Sequence, residues 1–339
     1  MGENYVNGAY ANVYDYIYKD VKIEDEEAGT VDTVNSRYPI RIVNDCDPTA
    51  KGCDSKKVMV KTWITGFTDT VTITGVANPS EPLVLGPIFK FDEKALNSVT
   101  SAKKAQRVVE AYALENDQKI LFYSISRSVT VHPMQIYGPE DYFLMEGKDY
   151  SWYGPWVTPM ADSITAMVDE VAEKLPGKLL AVYQATNGET VEESVDKVVK
   201  AVYEVLASRG IKYIENTGAA SLGQRVNYPV ETLRKKQGIC IETVTLVASV
   251  LERLGLRTVM VFIPGHVFVG WHTNSEGEEL DFFESTMLRD ESLTYEKAKE
   301  SAAKTFQEQV EAGNFETGDA VIVEINELRL KGIMPNNIP

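Results

Sequence analysis

Lys236-Gln237-Gly238-Ile239-Cys240-Ile241-Glu242-Thr243-Val244 carries the chain from a turn into a helix, and the fold is read outward from this stretch. Val244, Val247, Ala248, Leu251 and Leu254 follow at three- and four-residue steps, the spacing of an apolar helix stripe. Cys240 lies four residues before Val244, on the same stripe and at its N-terminal end. Gly255 is the stop signal. A thiol in this place has unused backbone N–H groups and the positive end of the helix dipole beside it, and both favour a thiolate. The same N–H groups can donate to an oxyanion.

Downstream, Thr258 to Ile263 reads as an apolar strand broken by Pro264-Gly265. His266-Val267-Phe268-Val269-Gly270-Trp271 resumes as a second strand, which makes Pro264-Gly265 a hairpin tip. After a polar turn at Asn274 to Gly277, Glu279 to Phe283 gives a third strand, antiparallel to the second. A carboxylate near its end can bond the distal nitrogen of His266. Alone, a cysteine at a helix start is usually a small buried side chain, and a histidine after Pro-Gly is usually a turn residue. Their order on one helix-then-hairpin frame makes them a candidate nucleophile and base. Of the three histidines, His272 ends its strand and His132 precedes Pro133, and both read as structural.

Upstream, Ile40 to Val43, Val58 to Ile64, Thr70 to Thr74, Val108 to Leu114, Lys119 to Ser126 and Ser128 to Val131 read as short β-branched strands. Glu115-Asn116-Asp117 is a hairpin turn. The pattern predicts an N-terminal antiparallel β-sandwich over residues 1–140, with Ile42, Val58, Val60, Ile73 and Val109 in its core. Residues 141–160, rich in aromatics, Pro and Gly, read as a linker. An α+β domain follows over 161–339, opening with helices from Asp162 to Leu175 and from Thr190, where Glu193 completes a capping box.

The 339 residues are 44% hydrophobic and 25% charged, an ordinary globular composition. A net charge of −16 without a Lys/Arg block speaks against nucleic acid as a partner. No apolar run is long enough for a transmembrane segment. Met1-Gly2 reads as an expression start, with any native signal peptide removed. Three scattered histidines call for no metal, no nucleotide motif is present, and no cofactor is expected. Cys46 and Cys53 share a short loop turned by Pro48 and Gly52. They read as a disulfide, which implies an oxidising compartment, with two reduced surface thiols or a Cys/Asp metal site as the alternatives.

These residues resemble the transglutaminase-like superfamily of papain-related cysteine hydrolases. The pattern is a Gly-x-Cys opening a helix, a Gly-His opening a strand, and an acidic residue followed by Thr after a third strand. Gly238-Ile239-Cys240, Gly265-His266 and Glu284-Ser285-Thr286 match it, over roughly residues 200–290. The resemblance is greatest to bacterial exported, often lipid-anchored members with a β-domain in front. It implies a papain-like α+β core and a catalytic triad of Cys240, His266 and Glu284, with Asp281 as the alternative carboxylate. Glu284 holds the family position, Asp281 is the commoner residue type, and being three apart on an extended segment only one can reach His266. Gln224 is a candidate oxyanion donor. Where many relatives place an acidic pair or an aromatic-acidic pair after the cysteine, Ile241-Glu242 stands here. The implied activity is acyl transfer at peptide or isopeptide amides, by a protease, amidase or transglutaminase. The substrate is a peptide or protein, cell-envelope peptides included, in an extracytoplasmic setting that allows a lipid anchor on the native precursor. The alternative is a non-catalytic binding or scaffold protein that keeps the fold.

Overall fold

The computed structural model of the chain is mixed α and β, with sheets that are mainly antiparallel. It describes residues 5–7, 21–25, 30–34, 39–47, 49–134, 136–137, 150–185, 188–214, 224–289 and 293–336. The chain divides into two compact units, Met1–Met134 and Gln135–Pro339.

The first unit holds strands β1 (Tyr5–Asn7), β2 (Val21–Asp25), β3 (Thr30–Val34), β4 (Ile40–Ile42), β5 (Lys56–Ile64), β6 (Val71–Ala77), β7 (Leu83–Leu85), β8 (Lys103–Glu115) and β9 (Gln118–His132). It also holds the short helix α1 (Glu93–Asn97). One sheet has the order β1-β9-β8-β5-β6, antiparallel except where β1 joins β9. Separate ladders join β4 to β7 and β2 to β3. Val60, Leu85, Val109 and Ala111 form a core, and Ile40, Ile42, Ile73 and Leu83 pack against it. Gly75 lets β7 come this close, since a Cβ there would lie 2.8 Å from Leu83 Cδ2. Asn116 and Asp117 both have positive φ, the two-residue turn that matches strand twist. The two short strands expected after that turn are one, because Arg127 keeps the ladder by pairing with Arg107.

Cys46 and Cys53 form a disulfide with their Cα atoms 5.8 Å apart. Inside the loop, Asp47 Oδ1 accepts hydrogen bonds from the Thr49 N–H at 2.8 Å and the Thr49 hydroxyl at 2.7 Å.

The second unit is built on a four-stranded antiparallel sheet. Among the described residues the unit's strands are β10 (Ile136–Tyr137), β11 (Lys212–Tyr213), β12 (Gln224–Arg225), β13 (Gln237–Gly238), β14 (Thr258–Ile263), β15 (His266–His272), β16 (Leu280–Phe283) and β17 (Val321–Glu324). The main sheet has the order β16-β15-β14-β17, and the two-stranded pairs β10-β12 and β11-β13 stand apart. The helices are α2 (Asp162–Lys174), α3 (Val191–Ser208), α4 (Pro229–Lys235), α5 (Cys240–Arg253), α6 (Tyr295–Glu311), α7 (Asn314–Thr317) and α8 (Ile325–Leu330). Every residue of β14 is buried, so the sheet is covered on both faces. Val259, Val261, Phe268 and Phe282 meet Ala302 and Phe306 of α6. Helix α5 packs against β14 and β15, with α2, α3 and α4 around it. Among the described residues no helix is long and apolar enough to cross a membrane.

Burial of α5 is wider than its stripe predicts. Every side chain from Ile241 to Leu251 is buried, including Thr245 and Ser249. Those two hydroxyls are accommodated by donating back to carbonyls within the helix, at Glu242 and Thr245. The helix ends in a Schellman turn. Gly255 (φ 88°) bonds Glu252 O, and Leu256 N bonds Leu251 O at 3.0 Å.

The aromatic segment read as a linker is, from Tyr150 to Pro159, part of this unit. Trp156 is fully buried, stacks on Tyr228 with centroids 5.6 Å apart, and donates its indole N–H to Val226 O at 3.0 Å. Arg329 grips Glu252 through Nε and Nη2 at 2.9 and 3.0 Å and donates to the carbonyls of Gly154, Val157 and Ile333. Aromatic area and backbone polarity both need partners when buried, and the core supplies them here.

Replacing Cys46 and Cys53 together by serine is expected to lower the stability of the first unit by about 2–3 kcal/mol, the chain-entropy value for so short a loop. Urea denaturation of both proteins without reductant measures it.

Candidate active site

Cys240 is the first residue of α5, and the chain that delivers it is held on both sides. Lys236 takes a left-handed conformation (φ 53°) that turns the chain out of α4 into β13. There β11 runs parallel beside it. Lys212 N donates to Lys236 O at 2.9 Å and Ile214 N to Gly238 O at 3.0 Å. Ile239 is extended (φ −81°, ψ 172°) and forms the N-cap.

Glu242, the third residue of α5, is 3% exposed and fastens two backbone segments. Its Oε2 accepts from the Ile239 N–H at 3.0 Å and its Oε1 from the Asn227 N–H at 2.7 Å. Burial pushes its pKa above the usual carboxylate value, against the pull of these N–H groups and the Lys235 charge. Gly238 makes room for it, since a Cβ there would stand 3.1 Å from Glu242 Cβ and Thr232 Cγ2.

His266 opens β15 directly after the two-residue tip Pro264-Gly265, where Gly265 takes φ 76° and Ile263 pairs with His266. Its side chain is 27% exposed, and its Nε2 meets Glu284 Oε2 at 2.6 Å. Cys240 lies close enough to the imidazole to act on its titration, while Nε2 is occupied by Glu284. Burial favours the neutral ring. The hydrogen bonds to Cys240 and Glu284 and the charges of both outweigh it, and the His266 pKa is pushed up to about 10.

Glu284 follows the last residue of β16. Its Oε1 accepts from Thr286 N at 3.0 Å and from Thr286 Oγ1 at 2.8 Å, so both carboxylate oxygens are occupied. This gives the Glu-Ser-Thr sequence a physical meaning. The threonine fixes one oxygen so that the other points at the histidine.

Asp281 is not at this site. It pairs with Trp271, five residues along β15 from His266, and its Oδ2 meets Lys299 Nζ at 2.5 Å. Lys299 also binds Asp196 at 2.6 Å. The antiparallel register carries β16 towards His266 only after Phe283, so Glu284 arrives there and Asp281 is left beside α6. The side chain of Gln224 lies outside the described residues. His272 is buried and pairs with Glu324 at 2.8 Å.

Two further side chains at the site escaped the sequence reading. Thr243 Oγ1 donates to Cys240 O at 2.9 Å and lies 2.9 Å from Ser285 Oγ. A threonine hydroxyl has one proton, and it goes to the Cys240 carbonyl, so Ser285 is the donor to Thr243. The chain Ser285–Thr243–Cys240 ties the first turn of α5 to the turn that holds Glu284. Both side chains are buried, at 1% and 0%. Hydroxyls at these positions carry no signal in one sequence, because Thr243 sits on what reads as the apolar helix. The position of Glu242, three after the N-cap, was the one available hint.

Among the described residues no group of three His, Cys, Asp or Glu could hold a metal ion. No protein-family model matches the chain, and no curated protein matches it at a significant level.

Two outcomes follow from this geometry. The His266 ring is expected to titrate near 10 in an NMR pH series, and nearer its ordinary 6.5 when Cys240→Ala removes one hydrogen bond and one charge. Because the folded value lies above the unfolded one, this pairing adds stability fully below pH 6.5 and loses it as pH rises through about 10. Separately, Thr243→Val and Ser285→Ala should each cost about 1–3 kcal/mol by leaving a buried partner unsatisfied. The double variant should cost less than their sum in a denaturation cycle, since both remove one link.

Proposed function

We propose that the chain is a cysteine-dependent acyl-transfer enzyme acting on peptide or isopeptide amides. The observation that carries this reading is the row of Cys240, His266 and a buried Glu284, in which Glu284 is hydrogen-bonded to the ring and Cys240 lies near enough to shift its titration. The thiolate is the nucleophilic form of a cysteine, and the His266 ring is the group beside it that can hold the proton. Cys240 Sγ attacks the amide carbonyl, and the C=O electron pair moves onto oxygen. The N–H groups of the first α5 turn, which have no partner within the helix, face the growing oxyanion. The C–N bond then breaks as His266 gives its proton to the leaving amine. Glu284 holds the ring in position and balances its charge. In the second half, His266 takes a proton from the acceptor, which attacks the thioester and releases Cys240. Water as acceptor makes the reaction hydrolysis, and an amine makes it transamidation.

The reading extends to the resemblance set out above. We place the chain with the transglutaminase-like proteins, with the first unit as a β-sandwich and the second as a papain-like core. The disulfide between Cys46 and Cys53 supports an extracytoplasmic setting, where such bonds persist.

Two assays on casein test this, release of acid-soluble peptides and incorporation of a fluorescent primary amine. Cys240→Ala is expected to abolish whichever the wild type performs, and His266→Ala to lower it at least about 10²-fold. Undiminished turnover by folded Cys240→Ala would sink the proposal. Inertness of the wild type, with no iodoacetamide adduct on Cys240, would favour a scaffold that keeps the fold.

A further inference from the structure

The chain carries a net charge of −16, yet the segment that delivers Cys240 is basic. Residues 212–236 hold five basic side chains, Lys212, Arg225, Arg234, Lys235 and Lys236, against two acidic ones, Glu215 and Glu231. All five basic residues are exposed. They come from three backbone segments that meet at the first turn of α5. Lys212 begins β11, which is bonded to the chain at Lys236 and Gly238. Arg225 stands two residues before Asn227, whose N–H is held by Glu242. Arg234, Lys235 and Lys236 end α4 and lead into Gln237-Gly238-Ile239-Cys240. Lys236 is four residues from the sulfur-bearing residue, which limits their separation to about 14 Å of extended chain.

Local structure accounts for only part of this charge. Arg234 and Lys235 complement the C-terminal end of α4, and Lys235 Nζ also donates to Asn227 Oδ1 at 2.5 Å. Arg225 lies 4.0 Å from Glu231 and is still half exposed. Lys236, the C-cap of α4, shares the first of these roles, and Lys212 has neither. On so acidic a protein, a positive rim beside the nucleophile attracts anions and repels cations at that one place.

Resting on the proposed cysteine chemistry, we infer that the substrate is an acidic peptide or protein segment, with carboxylates flanking the amide that Cys240 attacks. The rim would meet those carboxylates at Lys236, Arg234 and Lys212, while the reacting carbonyl lies over the start of α5.

The test uses three alkylating peptides with one electrophile, iodoacetyl-Glu-Glu-amide, iodoacetyl-Gln-Gln-amide and iodoacetyl-Lys-Lys-amide, on the full chain without reductant. In each, the Cys240 thiolate displaces iodide, and intact mass gives the rate. The ratio of acidic to neutral rates within one protein cancels any change in the intrinsic reactivity of Cys240 and in the His266 contribution to it. The wild type is expected to prefer the order Glu-Glu, Gln-Gln, Lys-Lys, with the preference fading in 0.5 M salt. In Arg234→Gln/Lys236→Gln the acidic-to-neutral ratio should fall about fourfold at low ionic strength, about twofold for each charge some 10 Å away in water. An unchanged ratio in that variant overturns the inference and leaves the cysteine chemistry standing. Failure of the neutral peptide to label Cys240 in the folded wild type overturns the cysteine chemistry and this inference with it.

Discussion

A helix buried on every side has no solvent to satisfy its ends or its polar side chains, and the second unit is organised around that constraint. Helix α5 is enclosed from Ile241 to Leu251. Its C-terminus is closed by the Schellman turn at Gly255 and by Arg329, which neutralises Glu252 and binds three carbonyls of the surrounding chain. Its flank is tied to the aromatic segment, where Ser249 Oγ accepts the Thr158 N–H at 2.8 Å. Its N-terminus is closed differently. Glu242 takes the N–H of the N-cap and Thr243 bridges to Ser285, but the first-turn N–H groups beside Cys240 lack helical acceptors by position. The end of the helix whose N–H groups have no acceptor within the helix is the end that carries the thiol.

The electrostatics of the site follow from what surrounds a half-buried imidazole. Burial alone would keep His266 neutral. It lies between Glu284 and Cys240, and the sum of their hydrogen bonds and charges reverses that preference. Glu284 can serve as a fixed charge because its other oxygen is spent on Thr286. An acid held protonated near neutral pH suits expulsion of an amine, the harder leaving group in amide chemistry. Positioning matters as much as charge here. The Cys240 carbonyl, the Thr243 and Ser285 hydroxyls and Glu284 form one connected frame, so thiol and carboxylate cannot drift apart without breaking buried hydrogen bonds.

Sequence periodicity located much of this because local signals coincide with the structure. The strand–Pro264-Gly265–strand pattern gives the hairpin, and Thr190 with Glu193 gives a capping box with both bonds present. Ile42, Val58, Val60, Ile73 and Val109 lie in or against the first unit's core. What stayed illegible depends on tertiary register. Asp281 lies on β16 and Glu284 just past its end, and only the pairing of Phe283 with Val269 decides which arrives at His266. Trp156 reads as a linker residue until Val226 and Tyr228 are seen around it. Thr243 looks like one more helix residue until Ser285 is found opposite.

The two histidines of β15 show how little residue type decides alone. His266 and His272 each bond a glutamate, at 2.6 and 2.8 Å, at opposite ends of one strand. The His272 side chain is 5% exposed against 27% for His266, and its partner Glu324 ends β17 on the far side of β14. That pair closes the sheet across three strands, with the Tyr183 hydroxyl donating to the His272 carbonyl as a further clamp. No thiol stands beside it. The His266 pair differs in facing a helix N-terminus that carries Cys240 and in keeping an opening to solvent. A proton relay needs a histidine that is both oriented and reachable, and the fold meets that condition at one end of β15 while using the other end as a structural clasp.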